Sequence, residues 1–173
     1  MFQKNQILLM LFMMAMAPMI FSSCKKSNET NSQLNVRLTD APYDAEEVNV
    51  DIKEVRVNFV SDTAAWVSLN TNANVYNLLK FQNGVDTLLA SGSVPTGTVQ
   101  EVRFILGSNN SIKIDNISYP LNVASGEESG LKIKVAKKLK AGLDNIVIDF
   151  DAELSVIKTG GGNYKLKPVL RVK

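Results

Sequence analysis

From Leu34 onward the apolar residues recur at every second position, in short runs separated by turn formers. This pattern restricts the fold more than any other feature of the chain. A period of two sends alternate side chains to opposite faces of a strand, whereas an amphipathic helix needs a period near 3.6. Leu34, Val36 and Leu38 share one face before Asp40-Ala41-Pro42 breaks the run. Val48, Val50 and Ile52 fall on even positions, and Val55, Val57 and Phe59 on odd ones. The phase therefore slips at Lys53-Glu54. One inserted residue returns both halves of a long strand to the same core, so the slip predicts a β-bulge.

The remaining runs extend the pattern. Val67 and Leu69 form a short strand, and Tyr76-Asn77-Leu78-Leu79 reads equally as strand or helical turn. The Gly and Ser cluster around Gly92, with Pro95 and Gly97, is expected to be a loop. Val102, Phe104 and Leu106 alternate up to Gly107, and Ile112 and Ile114 face Ile117, Tyr119 and Leu121 across Asp115-Asn116. Both turn residues tolerate positive φ, which predicts a two-residue hairpin. Leu131, Ile133 and Val135 begin a strand, and Ile146 to Val156 alternates as one long strand. Thr159 to Gly162 then turns the chain into Tyr164, Leu166, Leu170 and Val172. No stretch of ten residues carries a helical stripe. The expectation is a single all-β domain over residues 34–173, an antiparallel β-sandwich of eight to ten strands.

The segment before this domain has a different character. A polar start, Met1 to Gln6, leads into an apolar run from Ile7 to Phe21, and all six methionines lie at or before Met19. The run is shorter than the roughly 20 residues that span a bilayer, and it is followed by Ser22 and Ser23. Residues 1–23 therefore read as a secretory signal. Residues 24–33 are polar and aperiodic, a flexible tether. Cys24 is the only cysteine and there is no histidine. Intrachain disulfides, His-based triads and Cys/His zinc sites are excluded, and no cofactor is expected. Lys and Arg number 19 against 17 acids, too even a balance to suggest nucleic acid as a partner.

Phe21-Ser22-Ser23-Cys24 resembles the lipobox of bacterial lipoproteins, in which the cysteine is thioether-linked to a diacylglycerol and becomes the new N-terminus. Each buried acyl methylene contributes about 0.8 kcal/mol, so two or three chains hold a protein on a bilayer. The resemblance implies lipidation at Cys24, a membrane partner through that lipid, and a place in the cell envelope at the outer membrane.

Several blocks stand in order along the rest of the chain: Leu38-Thr39-Asp40-Ala41-Pro42, the Val48 to Phe59 strand, Trp66 with Leu69, and Tyr76-Asn77-Leu78-Leu79 followed by Asn83-Gly84. Val94-Pro95-Thr96-Gly97, Glu101-Val102-Arg103, Ser129-Gly130-Leu131-Lys132, Asp149-Phe150-Asp151-Ala152 and Leu166-Lys167-Pro168 continue the series. As a set over Leu34 to Val172 they resemble a family of bacterial envelope lipoprotein domains known only as a domain of unknown function. The resemblance implies a transthyretin-like or carbohydrate-binding-like β-sandwich, within a fold class that also admits an immunoglobulin-like arrangement. It implies no catalytic residues.

Candidate sites follow from residue type and spacing. Asp149, Asp151 and Glu153 would share one strand face about 6 to 7 Å apart, a spacing open to a glycosidase pair or a calcium site. Cross-strand ion pairs with Lys132 and Lys134 are the plainer reading. Asp40, Asp44, Glu46, Glu47, Asp51 and Glu54 concentrate acid without the spacing of a calcium loop, and Asp40 suits a role accepting from backbone amides. Lys132, Lys134, Lys137, Lys138 and Lys140 either meet anionic partners or guard an edge strand. Trp66, Tyr43 and Tyr119 are the aromatics available for a sugar-binding platform, with packing beneath a loop as the alternative. Gly160-Gly161-Gly162 lacks the ending of a phosphate loop. Asp62-Thr63 and Asp86-Thr87 resemble short acceptors for O-glycosylation.

The function expected is a non-catalytic binding module for glycans or surface proteins. The alternative is a structural or adhesin-type subunit joined through sheet edges. A glycoside hydrolase using Asp149 and Glu153 would require a deep cleft around both carboxylates.

Overall fold

A chain of alternating strands hides its apolar faces by stacking one sheet on another, and this chain does so. The computed structural model describes residues 31–41, 43–59, 66–123 and 130–173. The signal at 1–23, Cys24, most of the tether and Asp62-Thr63 lie outside the described residues. The strands are β1 (Asn31–Thr39), β2 (Glu47–Phe59), β3 (Trp66–Ser68), β4 (Asn70–Thr71), β5 (Asn74–Asn77), β6 (Thr87–Pro95) and β7 (Gly97–Leu106). They continue with β8 (Ser111–Ile114), β9 (Ile117–Val123), β10 (Leu131–Leu139), β11 (Gly142–Phe150), β12 (Val156–Lys158), β13 (Tyr164–Leu166) and β14 (Leu170–Val172). One helical turn, α1 (Ala152–Ser155), precedes β12. Among the described residues the fourteen strands exceed the eight to ten expected because several are only two to four residues long.

The smaller sheet has the order β14-β11-β1-β6-β4, and the larger one runs β10-β7-β2-β8-β9-β13-β12 with β3 and β5 also on β2. Their inner faces meet in one core. Leu34, Val36, Leu38, Ile146, Ile148 and Phe150 come from the smaller sheet, and Val48, Val50, Ile52, Val55, Val57, Val102 and Phe104 from the larger. The sandwich is all-β as expected but its sheets are mixed. β1 runs parallel to β11, and β13 parallel to β9. Alternation in one strand carries no information about the direction of its neighbour, and the chain between β1 and β11 is ample for a crossover.

Two local expectations hold. In β2, Ile52 faces Leu106 and Glu54 faces Ile105, so Lys53 is the extra residue of a bulge. Val50 and Ile52 before it and Val55 and Val57 after it all reach the core. Asp115 and Asn116, at φ 51° and 61°, make the turn between β8 and β9.

Two others need correction. The region around Gly92 is strand β6 rather than a loop. A Cβ at Gly92 would lie 3.1 Å from Leu69 Cδ2, so glycine admits the side chain packed over it. The alternation from Ile146 to Val156 is not one strand either. β11 ends at Phe150, Asp151 caps α1 by accepting from the Leu154 amide (3.0 Å), and Leu154 is 54% exposed. A local side-chain bond to backbone wins over a period-two pattern. The ambiguous Tyr76 segment is both things in turn, β5 followed by a 3₁₀ turn at Leu78–Phe81.

β2 changes partner along one edge. Asn49 and Ile52 each pair with β5 on one side, while on the other they meet β8 and β7. The bend between β7 and β8 is fixed by a buried knot. Gly107 N–H donates to the Asp51 carbonyl (2.8 Å), Asn110 Oδ1 accepts from the Asp51 amide (2.9 Å), and Asn110 Nδ2 donates to the Gly107 carbonyl (2.8 Å). The Asp51 carboxylate is fully buried there, 2.9 Å from Lys53 Nζ and 3.3 Å from the Asn109 amide.

Candidate functional site

The three acids of Asp149 to Glu153 do not share a strand face. Asp149 lies in the last two residues of β11, opposite Arg171, with Oδ2 3.5 Å from Lys173 Nζ. Asp151 holds α1 and pairs with Arg171 Nη2 at 2.5 Å. Glu153 lies exposed on the helical turn. Lys132 and Lys134 are not opposite these acids, because β10 pairs with β7 and not with β11. The cations come instead from β14 and the residue after it. Among the described residues no three acids stand close enough together to hold a metal ion. Asp151→Ala is expected to cost about 1 kcal/mol in urea unfolding through loss of the cap, and Glu153→Ala to stay within about 0.5 kcal/mol of the parent.

Asp40 does accept from a backbone amide, though a distant one. Its Oδ1 takes the Ala152 N–H (2.9 Å) and its Oδ2 faces Gln82 Nε2 (3.4 Å). Burial pushes its carboxyl up to about 6, against these hydrogen bonds, with the nearby Asp149 adding to the rise. Asp86 is bonded by Arg37 Nε (2.6 Å), and Thr87 opens β6 opposite Leu38.

The aromatic candidates separate into two places. Tyr43 lines an open cleft of about 490 Å³ with Asp44, Gln82 and Glu153. Burial raises its phenol above the ordinary tyrosine range, and Tyr164, Glu153 and Asp44 add to the effect. Tyr119 packs on the same Tyr164, with ring centroids 5.1 Å apart. Tyr43 and Tyr119 are both half-buried against the core. Trp66 stands apart from them on β3, half-buried, with the Arg103 guanidinium carbon 4.0 Å above its ring centroid. A single platform of all three rings is therefore absent.

The strand register around Trp66 builds something the sequence did not suggest. Ser68 faces Arg56, Arg56 faces Arg103, and Arg103 faces Lys132. Two residues along, Trp66 faces Asn58, Asn58 faces Glu101, and Glu101 faces Lys134. These eight residues occupy the outward face of the larger sheet, since their neighbours Val57, Val102, Phe104, Leu131 and Ile133 point into the core. Arg56 pairs with Glu54 (2.6 Å), and the same carboxylate accepts from Ser68 Oγ (2.6 Å). β10 is the edge strand of this sheet. Its lysines and the irregularity between Lys134 and Lys137, where Ala136 adopts φ 51°, are the devices that keep an edge from pairing with another chain.

No curated protein and no solved structure matches the chain. A family profile does match, over residues 31–168, which take in every strand from β1 to β13. The chain thus belongs to the family described as a domain of unknown function, DUF4382.

Proposed function

We propose that the protein is a lipid-anchored cell-envelope lipoprotein whose transthyretin-like or carbohydrate-binding-like sandwich acts as a non-catalytic binding module for glycans. The observation that carries this reading is the Trp66–Arg103 stack on the outward face of the larger sheet. A tryptophan stacked with a guanidinium on a face rich in donors suits recognition of hydroxyl-bearing rings. The run from Ile7 to Cys24 supports the anchor, and with it the reading that the module sits at the outer membrane. Asp149 and Asp151 are engaged in an ion pair and in capping, an arrangement suited to structure rather than to hydrolysis.

A structural or adhesin-type role through sheet edges is the second reading. It is favoured by β11, whose Gly142 to Ile146 stretch pairs with β1 on one side while β14 meets only Ile148 to Phe150 on the other. A glycan array probed with the full chain in neutral detergent separates the two. Binding is expected, and Trp66→Ala should abolish most of it. Binding that ignores this substitution, or a chain that is absent from membranes and unchanged in fractionation by Cys24→Ser, would count against the first reading.

A further inference from the structure

We infer that the outward face of the larger sheet is a track for a linear acidic polysaccharide, one whose sugars carry carboxylate or sulfate groups. This rests on the glycan-binding reading above and names its ligand class. The two cross-strand rows, Lys132–Arg103–Arg56–Ser68 and Lys134–Glu101–Asn58–Trp66, lie side by side across four strands. Adjacent strands are about 4.8 Å apart, so each row extends roughly 15 Å.

The first row is poor design for stability alone. Like charges directly opposite one another destabilise a sheet, yet three cations stand in consecutive positions. Glu54 answers Arg56, whereas Arg103 has the Trp66 ring as its partner and Lys132 is exposed. Polar atoms are left over as well. Among the described residues Arg56 Nε, Arg103 Nε and Asn58 Oδ1 are shielded from solvent and have no hydrogen-bond partner, and Asn58 is only 6% exposed. Each such atom lacks the hydrogen bond it would make in water, which disfavours the arrangement. A chain bearing anions at regular intervals answers the excess of cations along this row. It would lie along the cations with its hydroxyls near Asn58 and its terminal ring near Trp66.

A lipid surface fits less well. The large apolar side chains that are well exposed, among them Val75, Leu143 and Leu154, do not belong to either row, so the face offers no wedge for the acyl region. Lys132 and Lys134 are exposed, which makes them the substitutions least able to disturb the fold.

The test is affinity electrophoresis of the full chain in neutral detergent through polygalacturonate, chondroitin sulfate or dextran. Retardation is expected in at least one acidic polymer and not in dextran, and added salt should weaken it. The Lys132→Gln/Lys134→Gln double variant should bind about ten-fold more weakly, with an unchanged unfolding midpoint. Arg103→Ala should weaken binding at least as much. Retardation by dextran alone would end this inference and leave the broader glycan reading standing, whereas no retardation by any polymer would end both. Undiminished binding by the double variant, or tighter association with micelles doped with phosphatidylglycerol than with either acidic polymer, would also overturn the inference.

Discussion

Gly107→Ala is expected to destabilise the protein by about 3–5 kcal/mol, because among the described glycines it is here that an added methyl group would meet the closest neighbouring atom. A Cβ at this position would overlap Asp51 Oδ2 and lie 2.6 Å from Asp51 Cγ and 2.5 Å from Lys53 Cε. The carboxylate has nowhere to go. It is fully buried, and the backbone of Asp51 is fixed to Gly107 and Asn110 by hydrogen bonds in both directions. Displacing it would separate a buried charge from Lys53 and open the bend that lets β2 exchange β7 for β8. Gly84→Ala is the control. That residue has φ +85° with nothing near its missing Cβ, so it should lose only about 1 kcal/mol to backbone strain. Urea unfolding of the two variants compares them directly. Equal losses would show that the knot at Asp51 yields.

Asp40 is expected to make the protein less stable as the pH rises from about 4 to about 6. Its carboxyl titrates near 6 in the fold against 3.8 for a free side chain. Between those values the folded chain keeps a proton that the unfolded chain has released, so acid favours the fold here. The contribution is complete below 3.8, declines as the pH climbs through 6, and is gone above it. A shift from 3.8 to about 6 at this buried carboxyl corresponds to about 3 kcal/mol. Asp40→Asn retains an oxygen for the Ala152 amide and removes the charge. At pH 7 the variant should be more stable than the parent by a similar amount, and the two should converge near pH 4. Thermal midpoints of both proteins measured across that range would refute the assignment if the curves ran parallel.

How much of this was legible beforehand depends on how local each cause is. The bulge at Lys53 and the hairpin at Asp115-Asn116 were readable because a phase slip and two residues tolerant of positive φ are contained in a few positions. β6 was not, because what makes a strand of the Gly92 region is its ladder with β1, where Gly92 stands opposite Leu34 far back in the chain. The end of β11 was hidden by an accident of composition. Ala152, Leu154 and Val156 prolong the alternation, while the hydrogen bond that Asp151 Oδ1 accepts from the Leu154 amide ends the strand. Of the candidate site, Trp66 could be singled out as a residue facing away from the core. Its meeting with Arg103 could not, since the two touch only because β2 sets the registers of β3 and β7. The row of cations likewise exists in the pairing and nowhere in the linear order.

The parallel pairing of β1 with β11 governs the order of assembly. Ser32 lies beside Gly142, and Thr39 beside Asp149, so the first described strand is completed by one made more than a hundred residues later. Closing so large a loop carries an entropic cost that no nearby contact offsets, and topologies of this kind fold on the order of milliseconds to seconds. Until β11 arrives, β1 has β6 on one flank and a naked row of amides and carbonyls on the other. A nascent or truncated chain lacking its last third would present that row to its neighbours, which makes early folding hazardous and delay until the whole polypeptide is available an advantage.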